Sequence, residues 1–355
     1  MDLLKSLIVL SEKAANIARV CRADQHLFGL LVQQKKEDEA NPRFVEDFKT
    51  LADVLIQEMV RHFIRKQFQD LSDNVKGEEN NTFTNKLGEQ ICVEVQDTET
   101  KTACLLKNVL NGDHLAANLL AAEVHREIAI NDVNTKIPDT EFNVNLNDLA
   151  MWIDPIDCTA EYINGGQGDL DSGIYKNGLQ CVTILIGVYS KSQHTPIMGV
   201  INRPFVDRCS DNSHQQCIWG VSLPGLNFSS IEIHNERNNI VCLSSSESET
   251  IKQKLIEGGF QLVEAAGAGY KIMTVILGLS DVYLLTKGTT YKWDTCAPHA
   301  ILKSIGGDVL DFLDSIISEE CSIDYTTIGP DCNSNGIIAY RHREVLKDIL
   351  EIMKM

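Results

Sequence analysis

The chain has 355 residues, 43% of them hydrophobic and 23% charged, which is enough for a substantial core in one large domain or two fused lobes. A formal net charge of −18 argues against nucleic acid or an acidic membrane surface as a partner. No apolar run approaches the length of a membrane span, and Asp2, Lys5, Glu12 and Lys13 interrupt the N-terminal apolar residues where a signal peptide needs them continuous.

Leu3, Leu4, Leu7, Ile8, Leu10, Ala14, Ile17 and Ala18 recur at helical period and predict a first amphipathic helix. Phe48, Leu51, Leu55, Met59 and Phe63 predict a second. Residues 83–96 read as a β-hairpin turning at Asn85-Lys86-Leu87-Gly88, followed by helices around 105–110 and 115–124. The interval from about 80 to 145 reads as an elaboration over the rim of a site. Residues 165–177 are rich in Gly and Asp and read as a mobile loop. Strands follow at 182–189, 197–202 and 218–221. Residues 224–234 carry no chemical motif and read as the link between an N-terminal lobe, 1–223, and a C-terminal lobe, 224–355. In the second lobe, strands are predicted at 240–243, 261–263, 282–285 and 309–310. Helices are predicted at 249–257, 269–278 and 295–305, the last ended by Gly306-Gly307. A strand at 336–340 leads into a C-terminal helix from Arg343. The fold class is α/β or α+β in layers.

The eleven cysteines form no C-x-x-C pair and the nine histidines no H-E-x-x-H, so neither a disulfide framework nor a zinc site is indicated. They fit the reduced thiols of a cytoplasmic protein. The chemistry concentrates elsewhere. The apolar stretch Met151-Trp152-Ile153 ends in Asp154-Pro155-Ile156-Asp157-Cys158-Thr159, a strand end carrying two carboxylates and a hydroxyl. Ligands of α/β folds sit beyond the carboxyl ends of strands. Two aspartates and a peptide carbonyl there make a hard oxygen site suited to Mg²⁺. Pro155 stiffens the turn. A covalent phosphatase mechanism is not indicated: no C-x₅-R thiolate loop is present, and Asp154 and Asp157 are three apart where an aspartyl-phosphate motif needs two.

The Asp-Pro-Ile-Asp-x-Thr string resembles the signature of the Mg²⁺-dependent, lithium-sensitive phosphatases related to inositol monophosphatase. Phe48-Lys49-Thr50-Leu51-Ala52-Asp53 is similar to that family's early aspartate segment, Gly77-Glu78-Glu79 to its paired-glutamate turn, and Lys292-Trp293-Asp294-Thr295-Cys296-Ala297 to its late Trp-Asp motif. The resemblance runs in register from near the N-terminus to Ala339-Tyr340-Arg341. It implies a layered αβαβα sandwich of the inositol monophosphatase and fructose-1,6-bisphosphatase type. Segments 11–19, 178–189 and 265–271 resemble a member acting on inositol polyphosphates. The implied reaction removes the 1-phosphate of inositol 1,4-bisphosphate and inositol 1,3,4-trisphosphate in a monomeric enzyme. Rival readings are hydrolysis of 3′(2′),5′-bisphosphate nucleotides, hydrolysis of simple inositol monophosphates, and a non-catalytic metal-binding homologue.

The resemblance also implies roles. Glu78, Asp154 and the Ile156 carbonyl hold one Mg²⁺; Asp154, Asp157 and Asp294 hold a second; Glu79 reaches a third, weaker site through water. Two carboxylates about 4 Å apart repel by roughly 4 kcal/mol at an effective dielectric of 20, so such a cluster needs two or three ions. Locally, Glu78-Glu79 alone reads as a solvated surface pair, Asp294 also reads as a helix N-cap before Thr295 without conflict between the two roles, and Asp53 has a second reading as a polar residue on an exposed helix face. By resemblance, Asp53 and Thr159 form the catalytic dyad that activates water, and Li⁺ inhibits by taking a Mg²⁺ site. Substrate contacts fall to Asp157, Cys158, Thr159, Ser246, Ser248, Gly267, Ala268, Lys271 and Asp294. The small residues of 265–269 open a helix whose N-terminus suits an anion. Two positions depart from the pattern: Ser248 stands where a substrate-binding lysine is expected, and Cys158 where Ser or Gly is usual.

Overall fold

The computed structural model describes residues 2–34, 48–85, 87–206, 215–232, 236–318, 321–326 and 328–354. In chain order the first half comprises α1 (Leu3–Ala23), α2 (Gln25–Leu31), β1 (Val32–Gln34), β2 (Phe48–Thr50), α3 (Leu51–Gln67), β3 (Val75–Gly77), β4 (Thr82–Thr84), β5 (Gln90–Cys92), α4 (Glu99–Val109), α5 (His114–His125), β6 (Leu149–Asp157), α6 (Thr159–Asn164), β7 (Leu170–Asp171) and β8 (Ile174–Tyr175). The second half comprises β9 (Thr183–Ser190), β10 (Thr195–Asn202), β11 (Cys217–Leu223), β12 (Leu226–Ser229), β13 (Ile240–Leu243), α7 (Glu249–Glu257), β14 (Gln261–Glu264), α8 (Ala268–Ile276), β15 (Val282–Leu285), α9 (Lys292–Ser304), β16 (Asp308–Asp311), α10 (Phe312–Ile317), β17 (Ile337–Tyr340) and α11 (Arg343–Lys354).

Strand alternation sorts these elements into five layers. The six-stranded sheet has the order β12-β11-β10-β9-β6-β3. Met151 and Ile153 of β6 join the core beneath α1 and α3, while Ala150 and Trp152 point the other way, into the core shared with α8 and α9. The five-stranded sheet has the order β14-β13-β15-β17-β16. Its Ile240, Cys242 and Tyr283 face that same α8–α9 core; Val241, Leu243, Val282 and Leu284 face a third core with Leu255 of α7 and Val345, Leu346, Ile349 and Leu350 of α11. The result is the αβαβα sandwich expected from the resemblance, with α8 and α9 as the layer common to both sheets.

Several expectations need correction. Residues 224–234 are not simply a link: β12 pairs antiparallel with β11, so the first sheet extends past residue 223. Residues 233–235, like Lys86 of the 85–88 turn, lie outside the described residues. The 165–177 stretch contains a small ordered hairpin, β7 with β8, too short for any periodicity to announce. In the 80–145 elaboration, β4 and β5 form the expected hairpin. Its helices stack on one another and on the first helix, α4 on α5 and α5 on α1. α10 was not anticipated; an Asp311 N-cap bonding the Asp314 amide starts it.

α9 lies unusually close to the first sheet. An added Cβ at Gly187 would stand 2.6 Å from the Ala297 amide nitrogen, one at Gly220 2.7 Å from Ile301 Cα, and one at Gly199 would strike the Ala297 carbonyl. Three glycines on adjacent strands therefore open a trough for the helix that carries Asp294. Filling it with Gly199→Ala is expected to cost about 1–3 kcal/mol of stability through overpacking. The same change lifts Asp294 from its neighbours, so Mg²⁺ affinity measured by calorimetry should fall as well. A stable variant with unchanged metal affinity would contradict this account of how α9 is seated.

Candidate active site

Asp154 and Asp157 lie three positions apart, and in a regular strand an odd spacing sends side chains to opposite faces. The pairing of β6 with β9 shifts register between Asp154 and Asp157. This irregularity, at Pro155 and Ile156, re-phases the strand and turns both carboxylates to one side. Pro155 has no N–H to lose from the ladder there.

The other acids arrive on separate elements. β3 runs parallel to β6 with Gly77 opposite Ile153, and the Glu78 amide donates to the Ile153 carbonyl at 3.1 Å, which sets Glu78 beside Asp154. An added Cβ at Gly77 would overlap the side chain of Gln57. That side chain holds Glu79 at both backbone ends: Gln57 Oε1 accepts from the Glu79 amide at 3.0 Å and Gln57 Nε2 donates to its carbonyl. Glu79 is buried, with Lys49 Nζ 3.9 Å from its carboxylate. Asp294 is not the N-cap expected of it: α9 begins at Lys292 with Tyr291 as N-cap, and Asp294, in the first turn, accepts from the Tyr291 amide at 2.5 Å, so it serves the helix start and the site together.

Asp154, Asp157 and Asp294 each offer an oxygen within 4.8 Å of the other two. Burial pushes Asp154 well above the usual carboxylate range, and the neighbouring charges of Glu78, Asp157, Asp294 and Asp53 push it further. Asp294 is raised by burial, then by Asp157 and Glu78. Asp157 is also raised by burial, against the opposing pull of Lys271, the Thr183 hydroxyl at 3.0 Å and the Tyr270 and Ala268 amides at 3.2 Å each. Oδ1 of Asp154 is buried with no hydrogen-bond partner among the described residues. An all-oxygen donor set with an orphaned buried carboxylate oxygen fits a hard divalent cation such as Mg²⁺.

The remaining expected residues are distributed as follows. Asp53 is buried at the start of α3, where its Oδ2 accepts from the Thr50 amide at 2.7 Å and hydroxyl at 2.6 Å. It is therefore not on an exposed face. The Thr159 hydroxyl donates to the Ile156 carbonyl at 3.0 Å, one of the expected metal-binding oxygens. Cys158 adopts φ +73°, a left-handed conformation that explains why glycine suits this position. The amides at the start of α8 point at Asp157, so the Ala268 N–H serves that carboxylate. Lys271 is buried and donates to the Ala265 carbonyl at 3.1 Å, a charge held beneath the site. Ser246 lies exposed at the carboxyl end of β13, and Ser248 is the N-cap of α7, accepting from the Ile251 amide at 3.3 Å. Gln57 and Thr183 were missed by the sequence reading. Gln57 was within reach of it, four residues after Asp53 on one helix face; Thr183 becomes a neighbour only through strand pairing.

The chain is similar to known proteins over nearly its whole length. The sequence profile of the inositol monophosphatase family matches residues 10–353. The chain is 42% identical to the inositol polyphosphate 1-phosphatase of Homo sapiens, over 99% of this chain and 97% of that one. It is 41% identical to the Mus musculus protein of the same name, over 98% and 96%. A 3′(2′),5′-bisphosphate nucleotidase 1 of Dictyostelium discoideum is 31% identical, but over 51% of this chain and 57% of its own. Among solved structures, a Thermotoga maritima IMPase superposes with a TM-score of 0.56 at 17% identity, covering 100% of this chain and 99% of that one. An IMPase/NADP phosphatase complexed with Mg²⁺ and phosphate gives 0.53 at 13% identity, covering 95% and 90%.

The raised carboxylates set a pH dependence for the metal-free protein. Its folded state holds protons that the unfolded chain has released, so these groups' contribution to stability falls as pH rises above the ordinary carboxylate range. In chelator, Tm is expected to fall as pH rises above the ordinary carboxylate range, and Mg²⁺ should restore it most at the upper end. A Tm that ignores both pH and Mg²⁺ would contradict the clustering.

Proposed function

The chain belongs to the inositol monophosphatase family, and on that premise we propose that it removes the 1-phosphate from inositol 1,4-bisphosphate and inositol 1,3,4-trisphosphate by water attack. It is a phosphomonoesterase of inositol phosphates. The observation that carries the reaction is the convergence of Asp154, Asp157 and Asp294 with an orphaned oxygen on Asp154. Substrate choice is supported by the near-full-length likeness to inositol polyphosphate 1-phosphatases, against about half the chain for the bisphosphate nucleotidase. We place the enzyme in the cytoplasm as a monomer; among the described residues no helix is long and apolar enough to cross a membrane.

Glu78, Asp154 and the Ile156 carbonyl would hold one Mg²⁺, and Asp154, Asp157 and Asp294 a second, with Glu79 toward a third. Bound Mg²⁺ lowers the pKa of water and neutralises charge on the transferred phosphoryl group. The protein's own groups orient the rest. Thr159 positions the attacking water and passes its proton toward Asp53, which requires its hydroxyl to exchange the Ile156 carbonyl for the Asp53 carboxylate. The Cys158 amide, on a left-handed residue between β6 and α6, would face the phosphate, and Lys271 adds positive charge from below.

Two measurements check this reading. In a phosphate-release panel with Mg²⁺, inositol 1,4-bisphosphate should be hydrolysed in preference to adenosine 3′,5′-bisphosphate and inositol 1-phosphate. Activity should vanish in chelator, and Li⁺ should inhibit more deeply as substrate rises. Preference for either rival substrate would overturn the substrate assignment, and activity in chelator the metal assignment. Thr159→Ala should lower kcat by about 10²–10⁴-fold while Mg²⁺ still stabilises the fold. A wild-type kcat in that variant would remove the dyad.

A further inference from the structure

A substrate with two phosphates needs two positive environments, and the cations that the acid cluster would hold supply only the one around the reacting phosphate. β13, β14 and β15 run parallel and end at one edge, and the chain leaving β14 leads directly into the start of α8 that holds Asp157, so this edge borders the acid cluster. Ser246 and Ser248 stand there, and neither carries charge. Ser248 is moreover committed as the N-cap of α7.

Two lysines approach this loop. Lys252, on α7, donates to the Ser245 carbonyl at 3.4 Å, but Glu264 at 2.6 Å and Glu249 at 3.1 Å already neutralise it. Lys287 follows β15, and its ammonium reaches the Ser246 carbonyl. It is exposed, and among the described residues it has no salt-bridge partner. Its placement is built in. The buried carboxylate of Glu247 accepts from the Thr286 amide at 3.0 Å and the Thr286 hydroxyl at 2.7 Å, and from the Ser248 amide at 2.9 Å. One side chain thus clamps the end of β15 to the start of α7 and delivers Lys287 to the side of Ser246.

Resting on the bisphosphate reading above, we propose that Lys287 is the substrate-binding cation for the second, non-transferred phosphate, doing from β15 what Ser248 cannot do from α7. Glu247 is its positioning residue. The ammonium is a flexible point charge that needs no fixed fork geometry, so it can leave the Ser246 carbonyl for a phosphate oxygen.

Steady-state kinetics on inositol 1,4-bisphosphate with Mg²⁺ test this. Wild-type turnover comes first, since its absence would defeat the functional reading itself and the inference with it. Given turnover, Lys287→Ala should raise KM about three- to fivefold with kcat within about twofold, the pattern of a binding contact that is unchanged in the transition state. Lys287→Glu should raise KM further, Lys287→Arg should preserve it, and adding Ser248→Lys to Lys287→Ala should recover it. The salt dependence of KM should be flatter in Lys287→Ala than in the wild type, because one screened charge contact is gone. If Ala and Glu variants keep the wild-type KM, or if Arg fails like Ala while the salt dependence is unchanged, Lys287 only pins the loop and the proposal is wrong.

Discussion

The mutual repulsion of buried carboxylates governs this molecule. Asp154, Asp157 and Asp294 are brought within reach of a single ion, with Glu78 acting on two of them. Among the described residues nothing fully compensates them. Asp157 has amides, a hydroxyl and Lys271, while Asp154 has a buried oxygen with no donor among the described residues. Such a cluster persists either by taking up protons or by binding cations, and the second is the useful state. An overall charge of −18 makes the point sharper, since a phosphorylated ligand is repelled at long range and drawn in only by a local reversal of field.

That cluster couples the site to the whole fold, because its members come from β3, β6 and α9. β6 lies next to the edge strand β3 in the first sheet, and α9 belongs to the layer shared with the second sheet. The glycine trough over Gly187, Gly199 and Gly220 sets the height of α9, and the register shift at Pro155 and Ile156 sets the direction of the two β6 aspartates. A cation bound by these groups would tie the first sheet to α9, so ligand binding and folding stability would be linked through the same contacts.

The anionic and cationic sides of the site are built differently. The acids are rigid, held by capping bonds at Asp294 and Asp53 and by Gln57 around Glu79. The cations near the rim hang on flexible stems over loop carbonyls, as at Lys287. Rigid acids suit ions that demand fixed coordination; flexible lysines suit phosphates that differ in position from one inositol phosphate to another.

The sequence by itself was enough for the chemistry of the donor set and for most elements. Asp154-Pro155-Ile156-Asp157 is a strand end with oxygen ligands whatever surrounds it, and the helix at 249–257 was placed to the residue, because hydrophobic period and capping are local properties. Resemblance then supplied the layered sandwich and the distant partners Glu78 and Asp294. Only the tertiary structure decided how the parts meet. That two aspartates of odd spacing share one face and that Thr183 holds Asp157 follow from pairing with β9; that the start of α8 also holds Asp157, and that Lys287 reaches Ser246, follow from contacts between segments far apart in order. Local pattern fixes what a residue can do because it depends on neighbours a few positions away. What it does do depends on contacts between distant segments, and those exist only once the sheets have closed.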